Sequence, residues 1–192
     1  MTALDSRPNV VAVIGSPRRH GHTATLVDVA FEELERSGCE CTRILLADKR
    51  VEFCSGHVFC GERACPHDDD MAGVLEHVYA ADGLILATPI YCENVSGQMK
   101  TFMDRNATRY YGGVHLAPKM VGLIAVAGES HAGDTLAAMR RFLALSNPEG
   151  LPVVALGGCA DKPGEAAQDA ELMAKARAFG REMAGLLDLA SS

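Results

Sequence analysis

Residues 10–23, VVAVIGSPRRHGHT, constrain the fold more than any other stretch of the chain. Val10 to Ile14 is apolar and β-branched apart from Ala12, the composition of a strand buried on both faces. Gly15 ends the run. Beyond it Leu26, Val27, Ala30, Phe31 and Leu34 recur at spacings of three and four, which predicts a helix over residues 24–36 capped by Ser37 and Gly38. A loop between a buried strand and a helix N-terminus gathers backbone N–H donors and a partial positive charge, a setting suited to phosphate. The plainer alternative is an ordinary strand-to-helix turn with incidental polar residues.

Spacing narrows the phosphate compound. A nucleoside triphosphate loop requires G-x-x-x-x-G-K-[ST], but five residues separate Gly15 from Gly21 and His22 stands at the lysine position. The G-x-G-x-x-G pattern of dinucleotide folds is also absent. What remains are the donors of Ser16, Arg18 and Thr23, able to wrap a compact terminal monophosphate, which points to a mononucleotide such as FMN.

The rest of the chain repeats the strand-helix alternation. Further strands are expected at residues 42–46, 83–88, 119–127 and 151–156. Between and after them come helices over residues 71–80, one burying Met99, Phe102 and Met103, one carrying Leu136, Met139 and Leu143, and a closing helix over 165–189. Residues 1–9 read as a loosely ordered polar leader. The pattern predicts an α/β fold, a doubly wound parallel sheet of five strands covered on both faces. Ligands in such sheets bind at the carboxyl ends of the strands, so the loops beginning at Gly15, Pro89 and Gly128 should meet at one pocket. With 192 residues the chain suits one domain, with an insertion at about 50–70. Residues 68–70 in that insertion, three aspartates, are expected to cap the next helix.

A net charge of −7 disfavours nucleic acid or an anionic membrane as partner. No apolar run reaches the roughly 20 residues of a membrane span, and the expectation is a cytoplasmic protein. Seven cysteines in such a chain suggest reduced thiols, metal or redox chemistry. Cys39, Cys41, Cys92 and Cys159 show no ligand spacing and read as small buried or surface residues, Cys92 as a packing residue.

Two stretches, GSPRRHGHT at 15–23 and TPIYCENVSGQMKTFMDR at 88–105, resemble the FMN-binding loops of the NAD(P)H-dependent FMN reductase superfamily. The resemblance implies a flavodoxin-like sheet in the order 2-1-3-4-5, with Ser16, Arg18 and Thr23 on the ribityl phosphate. His22 stands where relatives commonly carry Asn. Pro89, Ile90 and Tyr91 would lie against the isoalloxazine, Asn94 near its polar edge, and Gly128 in the third loop. Lys100 and Asp104 read as an i, i+4 helix pair.

Within that superfamily the segment VEFCSGHVFCGERACPHDDDM resembles the iron-sulfur flavoproteins, whose compact four-cysteine motif precedes Asp-Asp-Met. Here the order is Cys54, His57, Cys60 and Cys65, with His57 where the second cysteine is expected. Three thiolates and an imidazole can serve a [4Fe-4S] cluster or a zinc ion; alternatively the frame survives without metal. His67 is a spare candidate ligand. The resemblance implies an FMN-dependent oxidoreductase, with NAD(P)H as transient donor and no catalytic side chain. It further implies a quinone, a flavin or a ferredoxin-like protein as redox partner, and a homodimer or homotetramer. Two other readings stand beside it: a non-enzymatic flavodoxin-type electron carrier, and a zinc-stapled module without flavin.

Overall fold

The side chains of β1 (Asn9–Ile14) divide the core in two. Val10 to Ile14 are each 0% exposed, and their alternation sends Val10, Ala12 and Ile14 to one face and Val11 and Val13 to the other. On the first face lie α1 (His22–Arg36) and α7 (Ala170–Leu189). On the second lie α2 (Met71–Tyr79), α3 (Gly97–Arg105) and α5 (Gly133–Ser146). This is a computed structural model, and it describes residues 7–57, 60, 62, 64–129, 131–147 and 150–189. Most of the leader, residues 1–6, therefore lies outside the described residues.

β1 pairs in parallel with β2 (Glu40–Leu45) and β3 (Gly83–Tyr91); β3 continues to β5 (Met120–Ala127), and β5 to β6 (Val153–Cys159). The order β2-β1-β3-β5-β6 is the one expected for five principal strands. A two-residue strand, β4 (Asn94–Val95), was not foreseen; it pairs antiparallel with the end of β3. Two short helices, α4 (Ala107–Tyr110) and α6 (Glu165–Gln168), complete the described elements with a 3-10 turn at Leu46–Asp48.

Several boundaries differ from expectation for physical reasons. β3 runs through Pro89 to Tyr91: β5 pairs with it as far as Pro89, whereas β1 pairs with it only as far as Ala87, and the side left without β1 tolerates a proline. β6 runs through Gly157 and Gly158 to Cys159, paired with β5 along that length. The closing helix is broken at Asp169, whose carboxylate accepts from the Leu172 N–H at 3.0 Å and starts α7 afresh. The edge of the sheet is not covered on both faces: along β6, Ala155, Gly157 and Cys159 are exposed while Val154, Leu156 and Gly158 are buried.

Glycine sets one close approach in the core. A Cβ on Gly122 in β5 would stand 2.5 Å from Phe179 Cζ and 2.7 Å from Met183 Sδ, so α7 packs onto β5 only over a bare backbone. Among the described residues no helix is long and apolar enough to cross a membrane.

Candidate functional site

The loop after β1 is folded on itself by Ser16, which is 3% exposed. Its Oγ accepts from the Arg18 N–H at 3.1 Å, and the Gly21 N–H donates to the Arg18 carbonyl at 3.3 Å. α1 then begins at His22, two residues earlier than expected. Its N-cap, Gly21, offers no side chain, and no acidic residue sits in its first turn. The helix thus presents N–H groups and a positive dipole end without an internal anion to satisfy them. Thr23, 2% exposed, lies in that turn, with Arg18 exposed at its rim. A compact phosphate fits this donor set.

This loop is fastened to the one after β3. The Gly15 N–H donates to the Ala87 carbonyl at 2.8 Å, and the Ser96 hydroxyl donates to the Gly15 carbonyl at 2.5 Å. The same Ser96 Oγ accepts from the Met99 N–H at 3.2 Å and so caps α3. The Thr88 hydroxyl oxygen in turn accepts from the Ser96 N–H at 3.0 Å. A Cβ on Gly15 would lie 2.7 Å from Met99 Cβ, which leaves glycine as the residue that permits this approach. Ser96 was not singled out from sequence; a serine directly after Val95 and three residues before Met99 was the available signal.

Residues 90–95 form a hairpin rather than an open loop. Ile90 pairs with Val95 and Tyr91 with Asn94, and the two connecting residues, Cys92 and Glu93, have φ of 50° and 61°. Positive φ at both central positions is the type I′ turn, which normally recruits Asn-Gly. Cys92 is therefore exposed at a strained tip, not packed as expected. Tyr91 is 43% exposed, Pro89 half-buried and Ile90 buried. Asn94 is exposed and its Oδ1 accepts from the Val95 N–H at 2.8 Å. α5 steadies the turn: the Thr135 hydroxyl donates to the Glu93 carbonyl at 3.4 Å.

Gly128 is exposed in the loop after β5 and faces the loop after β6, where a Cβ on it would stand 3.1 Å from Asp161 Oδ1. In that last loop the Glu165 carboxylate accepts from the N–H groups of Asp161 at 2.6 Å and Lys162 at 2.9 Å. These backbone bonds hold Glu165 below the usual carboxylate range, and the charge of nearby His22 adds to the effect. The loops after β1 and β3 are thus joined through Gly15, Ala87 and Ser96. His22 and Gly128 are linked instead to the loop after β6.

The cysteine segment precedes α2, and its described residues lie outside helices and the main sheet. Cys60 Sγ lies 3.6 Å from His57 Nδ1, and Cys54 Sγ accepts from the Gly56 N–H at 3.4 Å. Burial pushes the Cys60 thiol up, the neighbouring Cys54 and Cys65 push it further, and Arg105 opposes them. Among the described residues no three His, Cys, Asp or Glu side chains stand in the geometry of a metal site. Two buried nitrogen atoms at this segment, His67 Nε2 and Arg105 Nε, have no hydrogen-bond partner among the described residues. Three thiols, an imidazole and unspent buried polar atoms fit an iron-sulfur or zinc group in chemistry.

The aspartates at 68–70 anchor this segment rather than act as a simple helix cap. Asp70 Oδ2 accepts from the Arg50 N–H at 2.7 Å, and Asp69 Oδ2 from the Glu52 N–H at 2.9 Å. Only Asp69 Oδ1 reaches the helix, taking the Met71 N–H at 3.1 Å. Asp69 also pairs with Arg105, whose hydrogen bonds hold its carboxyl well below the usual carboxylate range against the opposing effect of burial. Lys100 and Asp104 form the expected exposed pair.

A family model described as NADPH-dependent FMN reductase matches residues 8–157. Over 189 residues the chain is 32% identical to an iron-sulfur flavoprotein of Methanocaldococcus jannaschii, covering 94% of this chain and 97% of the relative. An iron-sulfur flavoprotein of Archaeoglobus fulgidus is 40% identical over 96 residues, 50% of this chain and 44% of the relative, so that match spans less than half of the relative's length. In fold, the chain resembles the NAD(P)H:quinone oxidoreductase from Methanothermobacter marburgensis, with a TM-score of 0.72 at 19% identity over 92% of this chain and 97% of the other.

Proposed function

We propose, because the chain belongs to the NADPH-dependent FMN reductase family and to its iron-sulfur flavoprotein branch, that it is an oxidoreductase working through FMN held by the loops after β1 and β3. When bound, FMN supplies acceptance of electrons from a reduced nicotinamide nucleotide and their delivery to a small acceptor such as a quinone or flavin. The chain's own part is to bind and orient. Ser16, Arg18, Thr23 and the first-turn N–H groups of α1 take the phosphate, with His22 beside them. Pro89, Ile90, Tyr91 and Asn94 border the ring, and Gly128 stands in the loop that closes the far side. No side chain is assigned a proton or a covalent bond.

The observation that carries this reading is the Ser96 tether: one hydroxyl joins the loop that leads into α1, a helix whose N-terminus carries no side-chain cap, to the cap of α3. Titrating purified protein with FMN and following fluorescence quenching tests it. Ser16→Ala and Thr23→Val should each weaken binding by about 10- to 100-fold, the equivalent of about 1.5–3 kcal/mol for a hydrogen bond to a charged group. Protein that binds no FMN would exclude the reading. Bound FMN that neither NADH nor NADPH bleaches under anaerobic conditions would favour the electron-carrier alternative.

The same reading assigns Cys54, His57, Cys60 and Cys65 as ligands of an iron-sulfur cluster that passes electrons singly. The donor set and the names of the relatives support it. Iron and zinc analysis with a visible spectrum of anaerobically purified protein decides between cluster, zinc and no metal.

A further inference from the structure

Arg105 closes α3 and is 3% exposed, yet among the described residues one edge of its guanidinium has no hydrogen-bond acceptor. Nη1 donates to Asp69 Oδ2 at 2.7 Å and to the Glu52 carbonyl at 2.7 Å, and Nη2 donates to Asp69 Oδ1 at 3.0 Å. The carboxylate therefore grips the two terminal nitrogens. Nε, on the other edge, is buried and without an acceptor. A guanidinium can only donate, and a buried donor left unmatched is costly, so a chain that keeps one has another acceptor for it.

The surroundings say what kind. Cys65, His67 and Asp69 share with Arg105 the wall of one cavity of about 470 Å3. Besides Asp69 and the Glu52 carbonyl, Cys65 stands against the guanidinium, and the positive charge of Arg105 also reaches Cys60. Asp69 and Arg105 are anchored from both sides, one to the backbone of Glu52 and Met71, the other on α3. The orientation of the free N–H is thereby set by the fold and not by the group it meets.

We propose that Arg105 is a positioning residue for the cluster: its Nε–H donates to the sulfur of Cys65 and favours the reduced state of the cluster that Cys65 would hold. The inference rests on the assignment of Cys54 to Cys65 as cluster ligands. Reduction adds negative charge to the cluster, and a fixed N–H donor on a cation favours the more negative form, so the potential rises. Lysine at this position keeps the charge and one bond to Asp69 but has no counterpart of Nε–H.

The test is a dye-mediated redox titration of the iron- and FMN-loaded protein followed by electron paramagnetic resonance, with iron content measured on each sample. Arg105→Lys should retain iron while its cluster midpoint falls, by about tenfold in the reduced-to-oxidised ratio, or about 59 mV for a one-electron couple. Asp69→Asn should move the midpoint the opposite way, because the guanidinium charge is no longer countered. Full iron with an unchanged midpoint in Arg105→Lys overturns the proposal and leaves the cluster assignment standing, as do shifts of the same sign in both variants or loss of iron from both. Wild-type protein that takes up no iron overturns the cluster assignment and the proposal together.

Discussion

At the scale of single residues, the ion pair of Arg105 and Asp69 sits buried beside the cysteine segment. Removing one partner of a buried pair leaves the other charge uncompensated, at about 3–5 kcal/mol. Arg105→Ala should lose about that much stability near neutral pH, read by urea denaturation. The pH dependence has a definite sign. Asp69 titrates below its unfolded value of 3.8 because of Arg105, so the pair's contribution is present in full above that value and disappears as pH falls through the folded value. The gap between wild type and Asp69→Ala should therefore narrow below about pH 4, and a gap that widens on acidification would contradict the pairing. Cysteines give a second residue-level expectation. Burial pushes the Cys41 thiol up to about 12 and raises Cys39 as well, whereas Cys54 and Cys92 are exposed. Iodoacetamide at pH 8 should label Cys92 and, in metal-free protein, Cys54, leaving Cys39 and Cys41 unmodified in peptide mapping.

Among the elements, the hairpin of β3 and β4 and the start of α3 behave as one unit. Ser96→Ala removes both the cap at Met99 and the donor to the Gly15 carbonyl, which should cost about 1–2 kcal/mol. FMN affinity should fall in the same variant, since the phosphate loop loses its anchor; unaltered affinity would detach the tether from the binding site. The turn itself is strained by two non-glycine residues at positive φ. Replacing Cys92 and Glu93 by Asn and Gly should stabilise the protein by about 1 kcal/mol, measured by thermal melting, because those residues adopt the type I′ turn without penalty. If FMN binding survives the exchange, the strain is incidental to the cofactor.

For the whole molecule, helix pairing across the first face depends on a bare backbone at Gly180, where a Cβ would lie 2.6 Å from the Ala30 carbonyl oxygen. Gly180→Ala should push α7 from α1 and cost about 1–3 kcal/mol, seen as a lower midpoint in denaturant. Much of the architecture was legible in the chain because it follows from local pattern. The β-branched run at Val10 to Ile14, the three-and-four spacing of α1 and the apolar runs of β3 and β5 each state their own element. Hydrophobic periodicity is a property of neighbours in sequence, and so is the loop chemistry of Ser16, Arg18 and Thr23. What periodicity could not state was any partner far along the chain. Pro89 looked like a stop until β1 was found to end short of it. The aspartates at 68–70 looked like a cap until Arg50, Glu52 and Arg105 came to meet them. Arg105 itself, one charged residue at the end of an amphipathic helix, carried no signal at all, because burial, orientation and an unspent N–H exist only once distant segments are packed together. The sequence by itself determined the α/β alternation and the kind of donors the loops offer; the tertiary structure alone decided which loops touch and which charge is placed against the cysteines.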